Sequence, residues 1–198
     1  SWTTTMKDEL VKYHNLKQND IFVGGVPKYD AYFNYNEQFE ESFKSNFNFK
    51  PNFKTIFLCL ESPTGYKWNI ELINIISEVI ENEFNKKVRL IIRPHPIYFK
   101  IKNGKYIHLE ELETIREICK NYNFIIFDEL EIVSKELSFD LHHSDPYKLK
   151  TLLKHSDVVV CFYSSIMVEA SIFNTPVINV EIFEKGKTIY KMPNEIAA

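Results

Sequence analysis

Glycine is scarce in this chain, five in 198 residues, and no G-x-G-x-x-G run opens a helix behind a strand, which disfavours a dinucleotide fingerprint. No apolar stretch approaches the ~20 residues that a helix needs to cross a bilayer. Segments such as Val158–Phe162 and Ile125–Phe127 are far shorter. Neither charge sign dominates: 24 Lys and Arg face 27 Asp and Glu, a net charge of -3, with a pI near 6.1. There is then no basic field for binding nucleic acid or another polyanion along the surface. Cysteine is limited to Cys59, Cys119 and Cys161, an odd number, each inside an apolar segment. That pattern indicates a reduced, cytosolic setting with buried thiols rather than a disulfide frame. The first residues lack the charged head and apolar run of a secretory signal. No repeat, linker or low-complexity segment divides the chain.

What is present is core material. Hydrophobic residues make up 44% of the chain and aromatic residues 15%, with 16 Phe and 11 Tyr. That is enough to offset chain entropy, so disorder is excluded and one α/β domain over residues 1–198 is expected. The chain begins at Ser1–Trp2 without an initiator Met, inside what reads as an element, as a piece of a longer protein would.

Periodicity alternates between the strand and helix patterns. Strands are expected at Asp20–Gly24, Lys54–Leu60, Val88–Ile92, Asn123–Phe127, Asp157–Phe162 and Pro176–Val180. Helices are expected between them: Tyr32 to Asn48, Asn69 to Phe84, Leu109 to Asn121, Ser144 to about His155, and Ser164–Phe173. Phe39, Phe43 and Phe47 recur every four residues and form one packing stripe of a helix. Ser144–Asp145–Pro146 reads as a helix start with an acidic cap and an early proline. Strands apolar on both faces that alternate with helices of this length predict a doubly wound parallel sheet of about six strands, helices on both sides.

Ligands of such sheets bind beyond the carboxyl ends of the strands. The residues there are Gly24–Gly25, Glu61–Ser62–Pro63, Arg93–Pro94–His95, and Tyr163–Ser164–Ser165 with Glu169 one turn further on. Two hydroxyls at a helix start suit a phosphate or diphosphate, with Glu169 placed to accept from ribose hydroxyls; Ser164 equally reads as an N-cap alone. His95 lies between two prolines that stiffen the backbone. It suits a donor to a phosphate oxygen or an acid-base group; the plain alternative is a histidine bonded within its own turn. Arg93 equally suits an ion pair with a neighbour such as Glu61. His142, His143 and Asp145 hint at a metal, but adjacent histidines on a strand point to opposite faces and Asp145 is accounted for as a cap, so no metal or cofactor is expected. Asp30, Tyr32 and Tyr35 fit an interdomain surface without requiring one. Phe-Tyr-Ser-Ser-Ile lacks the glycines of a nucleophile elbow, which disfavours a triad hydrolase, and no acidic pocket at the strand ends supports a receiver-like domain.

Four runs occur in one order: Gly25–Val26–Pro27–Lys28–Tyr29–Asp30, Arg93–Pro94–His95–Pro96, Ser156–Asp157 through Tyr163–Ser164–Ser165, and Asn174–Thr175–Pro176–Val177–Ile178. Together they resemble the C-terminal half of GT-B transferases of surface-polymer synthesis, above all the CDP-glycerol glycerophosphotransferase-like group and related surface-carbohydrate glycosyltransferases. UDP-N-acetylglucosamine 2-epimerase shares the architecture more distantly. The resemblance covers nearly the whole chain. It implies a donor domain holding a CDP- or UDP-linked diphosphate. By the same likeness, Arg93 and His95 reach the diphosphate and act as the catalytic pair, Ser164–Ser165 contact phosphate, Glu169 binds ribose, and Gly25, Glu61, Ser62, Pro63 and Tyr163 line the nucleotide. Where that family has Asp before Tyr-Ser-Ser, this chain has Phe162 preceded by Cys161.

The resemblance further implies that acceptor contacts and the catalytic base belong to an N-terminal half outside this chain, with Trp2 matching the Trp ahead of the first helix of the C-terminal half. The expected activity is metal-independent displacement at the donor diphosphate, in cytosolic synthesis of a surface polysaccharide or teichoic-acid-like polymer, with membrane association only through the other half. Alone, the chain should bind nucleotide weakly and catalyse little. A non-hydrolysing UDP-sugar 2-epimerase would need further acidic and basic groups around the diphosphate, and a non-catalytic nucleotide-binding module would lack a second α/β domain.

Overall fold

The computed structural model describes residues 1–34, 37–65, 67–84, 87–102, 104–133, 141–184 and 187–190. The chain forms two compact units, Ser1–Asn36 and Glu37–Ala198.

In the first unit, helix α1 (Thr4–His14) starts at Thr3, whose hydroxyl accepts from the Met6 amide at 3.0 Å, and stops at Asn15 in the left-handed region, φ 53°. A short helix α2 (Asp30–Phe33) follows a turn at Pro27–Tyr29, and Tyr29 stacks on Tyr32 at 5.8 Å. The strand expected at Asp20–Gly24 does not form. A 3-10 turn covers Gln18–Asp20, and the extended residues after it are held to the N-terminus instead: the Ser1 ammonium donates to the Phe22 carbonyl at 2.8 Å and the Gly24 amide to the Ser1 carbonyl at 3.0 Å. Ile-Phe-Val has strand propensity, but propensity without a neighbouring ladder makes no strand.

The second unit is the α/β body. Helix α3 (Glu37–Asn46) precedes strand β1 (Lys54–Cys59), α4 (Asn69–Glu83), β2 (Val88–Arg93), the small hairpin β3–β4 (Ile101–Lys102 and Lys105–Tyr106) and α5 (Leu109–Asn121). Then come β5 (Ile125–Phe127), α6 (Asp145–His155), β6 (Val158–Cys161), α7 (Ile166–Ile172), β7 (Val177–Asn179) and a second hairpin, β8 (Ile182–Glu184) and β9 (Lys187–Tyr190). The continuous helix expected from Tyr32 to Asn48 is thus represented by α2 and α3, with Tyr35 and Asn36 between them outside the described residues.

Five strands make one parallel sheet in the order β5-β2-β1-β6-β7. Alternation along each strand sends its apolar side chains to two cores. Leu58, Leu90, Ile92, Val160 and Phe162 meet α4 and α5 through Ile73, Ile80, Leu112 and Ile115. Phe57, Ile91, Val159 and Cys161 meet α3, α6 and α7 through Phe47, Leu152, Leu153, Ile166 and Ala170. Every residue of β2 is buried, as a strand covered on both faces requires. Cys59, Cys119 and Cys161 are buried and unbridged. Phe39 stacks on Phe43 at 6.1 Å and meets Tyr147 of α6 in a tilted arrangement at 5.3 Å, while Phe47 enters the core, so the aromatic stripe is packing.

The α3–α6 contact carries a charge as well. The Glu40 carboxylate is mostly buried and takes Lys154 at 2.7 Å and His155 at 2.8 Å on one oxygen. Burial opposes the ionised form, but the hydrogen bonds and charges of Lys154 and His155 prevail and hold Glu40 below its ordinary pKa. A carboxylate with a depressed native pKa contributes stability above its unfolded pKa and loses it as pH falls through the native one. Glu40→Gln should therefore cost ~1–2 kcal/mol at pH 7, and thermal melts of the two proteins should converge below about pH 4. A gap that stays constant down to pH 3 would show that the charge contributes nothing.

Candidate active site

From β1 the chain moves to β2 and β5, then returns through α6 to β6 on the other side of β1. The crevice at the carboxyl ends of β1 and β6 is therefore the switch point of the sheet, where α/β ligands sit. The ladder ends with Arg93, Cys59 and Cys161 in register. Two residues further along the three chains come His95, Glu61 and Tyr163, and next to Tyr163 are Ser164 and Ser165. The sheet thus sets Ser164 and Ser165 at the same end as His95 and Glu61, which lie 69 positions or more away in sequence.

The Glu61 loop is held from below by a buried relay that sequence reasoning missed. Asn69, fully buried at the start of α4, accepts from the Glu61 amide at 3.2 Å. Its amide nitrogen donates to the Glu61 carbonyl and to the Tyr98 hydroxyl, both at 2.9 Å, and that hydroxyl donates to Glu111. Burial, reinforced by Glu111, pushes the Tyr98 hydroxyl pKa far up, so it stays protonated and the relay stays intact. Burial raises the Glu61 pKa too, opposed by hydrogen bonds from the Ser62 backbone and the Ser164 hydroxyl. Glu61 and Ser164 therefore meet directly across the crevice.

His95 caps the 3-10 turn Pro96–Phe99, its Nδ1 accepting from the Ile97 amide at 3.2 Å. The turn-bonded alternative is what the geometry contains, and it has a chemical consequence. A backbone N–H can only donate, so Nδ1 carries no proton and Nε2 does. Burial lowers the His95 pKa. The ring is thus neutral at pH 7 and offers Nε2–H as a donor.

Arg93 takes a different position from an open phosphate ligand. Its side chain is 9% exposed, with Nη1 bonded to Asp128 and Nη2 to Asp145 at 2.7 Å. Burial works against its charge, but Asp128 and Asp145 outweigh that and raise its pKa. Lys148 completes the group, 2.7 Å from Asp128 and 3.7 Å from Asp145, which makes two cations and two anions. The expected ion pair exists, with Asp128 and Asp145 rather than Glu61. Asp145 is accordingly the first residue of α6 and a partner of Arg93, while Ser144 takes the cap position.

Other expected residues fall as follows. The helix behind β6 starts at Ile166 rather than Ser164, with Ser165 at its cap and no side-chain capping bond; Tyr163 and Ser165 are exposed, Ser62, Pro63 and Ser164 partly so. Glu169 is buried at 4% exposure, close enough to Cys59 to contribute to its raised thiol pKa. Gly25 lies in the first unit at φ 73°, a conformation that favours glycine. His142 and His143 do not point apart: they are not on a strand, and their rings lie 4.0 Å apart, with His142 Nδ1 2.7 Å from the Ser144 hydroxyl. Among the described residues no group of three or more His, Cys, Asp or Glu is arranged to hold a metal ion. No helix among them is long and apolar enough to cross a membrane.

This architecture has known counterparts. The wall teichoic acid polymerase TagF superposes with a TM-score of 0.51 at 15% identity, over 89% of this chain and 37% of that one. UDP-GlcNAc 2-epimerase from Methanocaldococcus jannaschii gives 0.54 at 18% identity, over 90% and 45%. The Neisseria meningitidis UDP-GlcNAc 2-epimerase, solved bound to UDP-GlcNAc, gives 0.54 at 15%, over 87% and 41%. The chain therefore spans less than half the length of each, and at these identities the likeness is one of fold, the Rossmann-like architecture of GT-B proteins. No curated protein matches the sequence. A sequence profile described as CDP-glycerol:poly(glycerophosphate) glycerophosphotransferase, however, matches residues 1–190, and the chain belongs to that family.

Proposed function

We propose that this chain is the donor-nucleotide half of a transferase that moves a glycerophosphate or glycosyl group from a nucleotide-diphosphate donor to a growing surface polymer. The observation that supports the reading is the crevice between β1 and β6, where Glu61 meets the Ser164 hydroxyl, with the neutral His95, a free N–H donor, following the end of the neighbouring strand β2. Neutral donors hold a diphosphate without a metal, and donors fixed before the reaction stabilise the charge that develops on the departing nucleotide. Glu61, Ser62, Pro63 and Tyr163 line the same mouth. Arg93 and Glu169, both buried, act as positioning residues: Arg93 anchors the end of β2 from which His95 projects, and Glu169 lies beneath the β1 end. The acceptor and its activating base come from a second half of the protein. Buried, unbridged cysteines support a cytosolic setting.

Calorimetric titration with CDP, UDP, GDP and ADP, with and without Mg²⁺, tests this reading. CDP should bind best and independently of Mg²⁺; preference for UDP would favour an epimerase-like or glycosyl donor. His95→Ala should weaken CDP binding by ~10-fold, about 1.4 kcal/mol, and leave CMP binding nearly unchanged. Equal losses for the two ligands would remove His95 from the distal phosphate.

A further inference from the structure

Glu61 puts a carboxyl where the crevice should receive an anion. Its backbone is held on both sides, the amide donating to Asn69 and the carbonyl accepting from it, so the side chain is the part left to move. The chain around it keeps to the ladder: Cys59 is in register with Cys161 of β6, and the Leu60 amide donates to the Arg93 carbonyl at 2.9 Å. That frame brings the half-buried Glu61 carboxyl to the Ser164 hydroxyl, which donates to it. Among the described residues Glu61 has no ion-pair partner. The ionisable groups beside it are the Cys161 thiol of β6, pushed up by burial and then by the Glu61 charge, and the neutral His95 that follows β2. Arg93 of β2 and Glu169 of α7 act two residues back, on Cys59.

We propose that Glu61 is a proton-coupled gate of the phosphate subsite: in the empty crevice its carboxylate occupies the Ser164 hydroxyl, and an incoming diphosphate takes that hydroxyl while Glu61 accepts one proton from solvent. The gate depends on the crevice being the donor site. Two effects drive the exchange. A like charge close by disfavours the ionised carboxyl, and the hydroxyl that stabilised it has passed to the phosphate. Burial already raises the Glu61 pKa against the hydrogen bonds of Ser62 and Ser164, so losing the Ser164 bond works in the same direction. Once protonated, Glu61 joins His95 and Ser164 as an uncharged donor. Affinity is then greatest below the pKa of the free carboxyl, falls as pH rises toward that of the complex, and is level above it.

The test is calorimetric titration of the full-length protein with CDP-glycerol, neither of whose phosphates carries a second ionisable proton. In buffers of different ionisation enthalpy, a pKa that rises by one unit on binding gives an uptake of ~0.5 proton at its maximum between pH 5 and pH 8, and binding ~10-fold weaker at pH 8 than at pH 5. The parent protein shows this without any substitution. Glu61→Gln should remove most of the uptake and of the pH dependence, and should bind at pH 8 at least as tightly as the parent. Binding without proton uptake would overturn the gate and leave the donor site standing. Glu61→Gln keeping more than half of the uptake would overturn it too, and would assign the proton to His95. So would weaker binding by Glu61→Gln at pH 8, since the carboxylate would then be helping the ligand. Absence of binding by the parent at every pH would overturn the donor-site reading itself, and the gate with it.

Discussion

Arg93→Met should cost ~3–5 kcal/mol of folding stability, the range seen when one partner of a buried ion pair is removed. The substituent fills the same space but leaves Asp128 at 1% and Asp145 at 8% side-chain exposure with Lys148 alone to balance them. One Asp145 oxygen already lacks a hydrogen-bond partner, so the site has no reserve of donors. The pH dependence identifies the cause. An aspartate buried without its partner has a raised native pKa, so the native state of the variant takes up protons more readily than its unfolded chain, and its deficit against the parent narrows as pH falls toward about 4. Arg93→Lys should recover only part of the loss, because one ammonium cannot make the two-armed contact. Urea denaturation at pH 7 and pH 4.5 measures both. A loss below about 1 kcal/mol, or one independent of pH, would mean that Lys148 alone compensates the two carboxylates.

Asn69→Leu is the second large effect, ~2–4 kcal/mol. The shape is conserved, but three hydrogen bonds disappear, and the Glu61 amide and carbonyl and the Tyr98 hydroxyl each lose a partner. Tyr98→Phe should cost less, since it removes one hydroxyl and leaves the Asn69 contacts with the Glu61 backbone in place. Because Asn69 holds the loop rather than a ligand, Asn69→Leu should also accelerate amide exchange at Glu61 and weaken nucleotide binding, without altering the preference among bases. Loss of stability with unchanged exchange at Glu61 would separate the relay from the loop.

Several motifs that stand out in the sequence have structural duties in the fold. Asn174 ends α7 at φ 53°, and Thr175 donates to the Leu153 carbonyl at 2.7 Å, so Asn-Thr-Pro stops a helix and pins it to α6. In Arg-Pro-His-Pro, the arginine is a buried ion-pair centre and one nitrogen of the histidine caps a turn. Only the other nitrogen is left to donate outside the turn. Two residues of the site's support, Asn69 and Tyr98, left no mark in the sequence: an asparagine at a helix start and a tyrosine after proline are ordinary in any surface segment.

The sequence by itself determined the alternation of elements and the residues that end the strands, because side-chain periodicity and proline, glycine or capping residues act locally along the chain. Leu109–Asn121 has the same bounds in sequence and structure, and β1, β2 and α4 differ by a residue at one end. It could not determine pairing. Whether Ile-Phe-Val at 21–23 becomes a strand depends on a neighbour, and none pairs with it among the described residues. Whether Arg93 meets Glu61 or Asp128 depends on strand order, which sets β5 beside β2. Tertiary structure alone decided that two aspartates 17 residues apart neutralise one arginine, and that Asn69 and Tyr98 clasp the Glu61 loop. Buried charges and amides take whatever partner the packing of distant segments brings within about 3 Å.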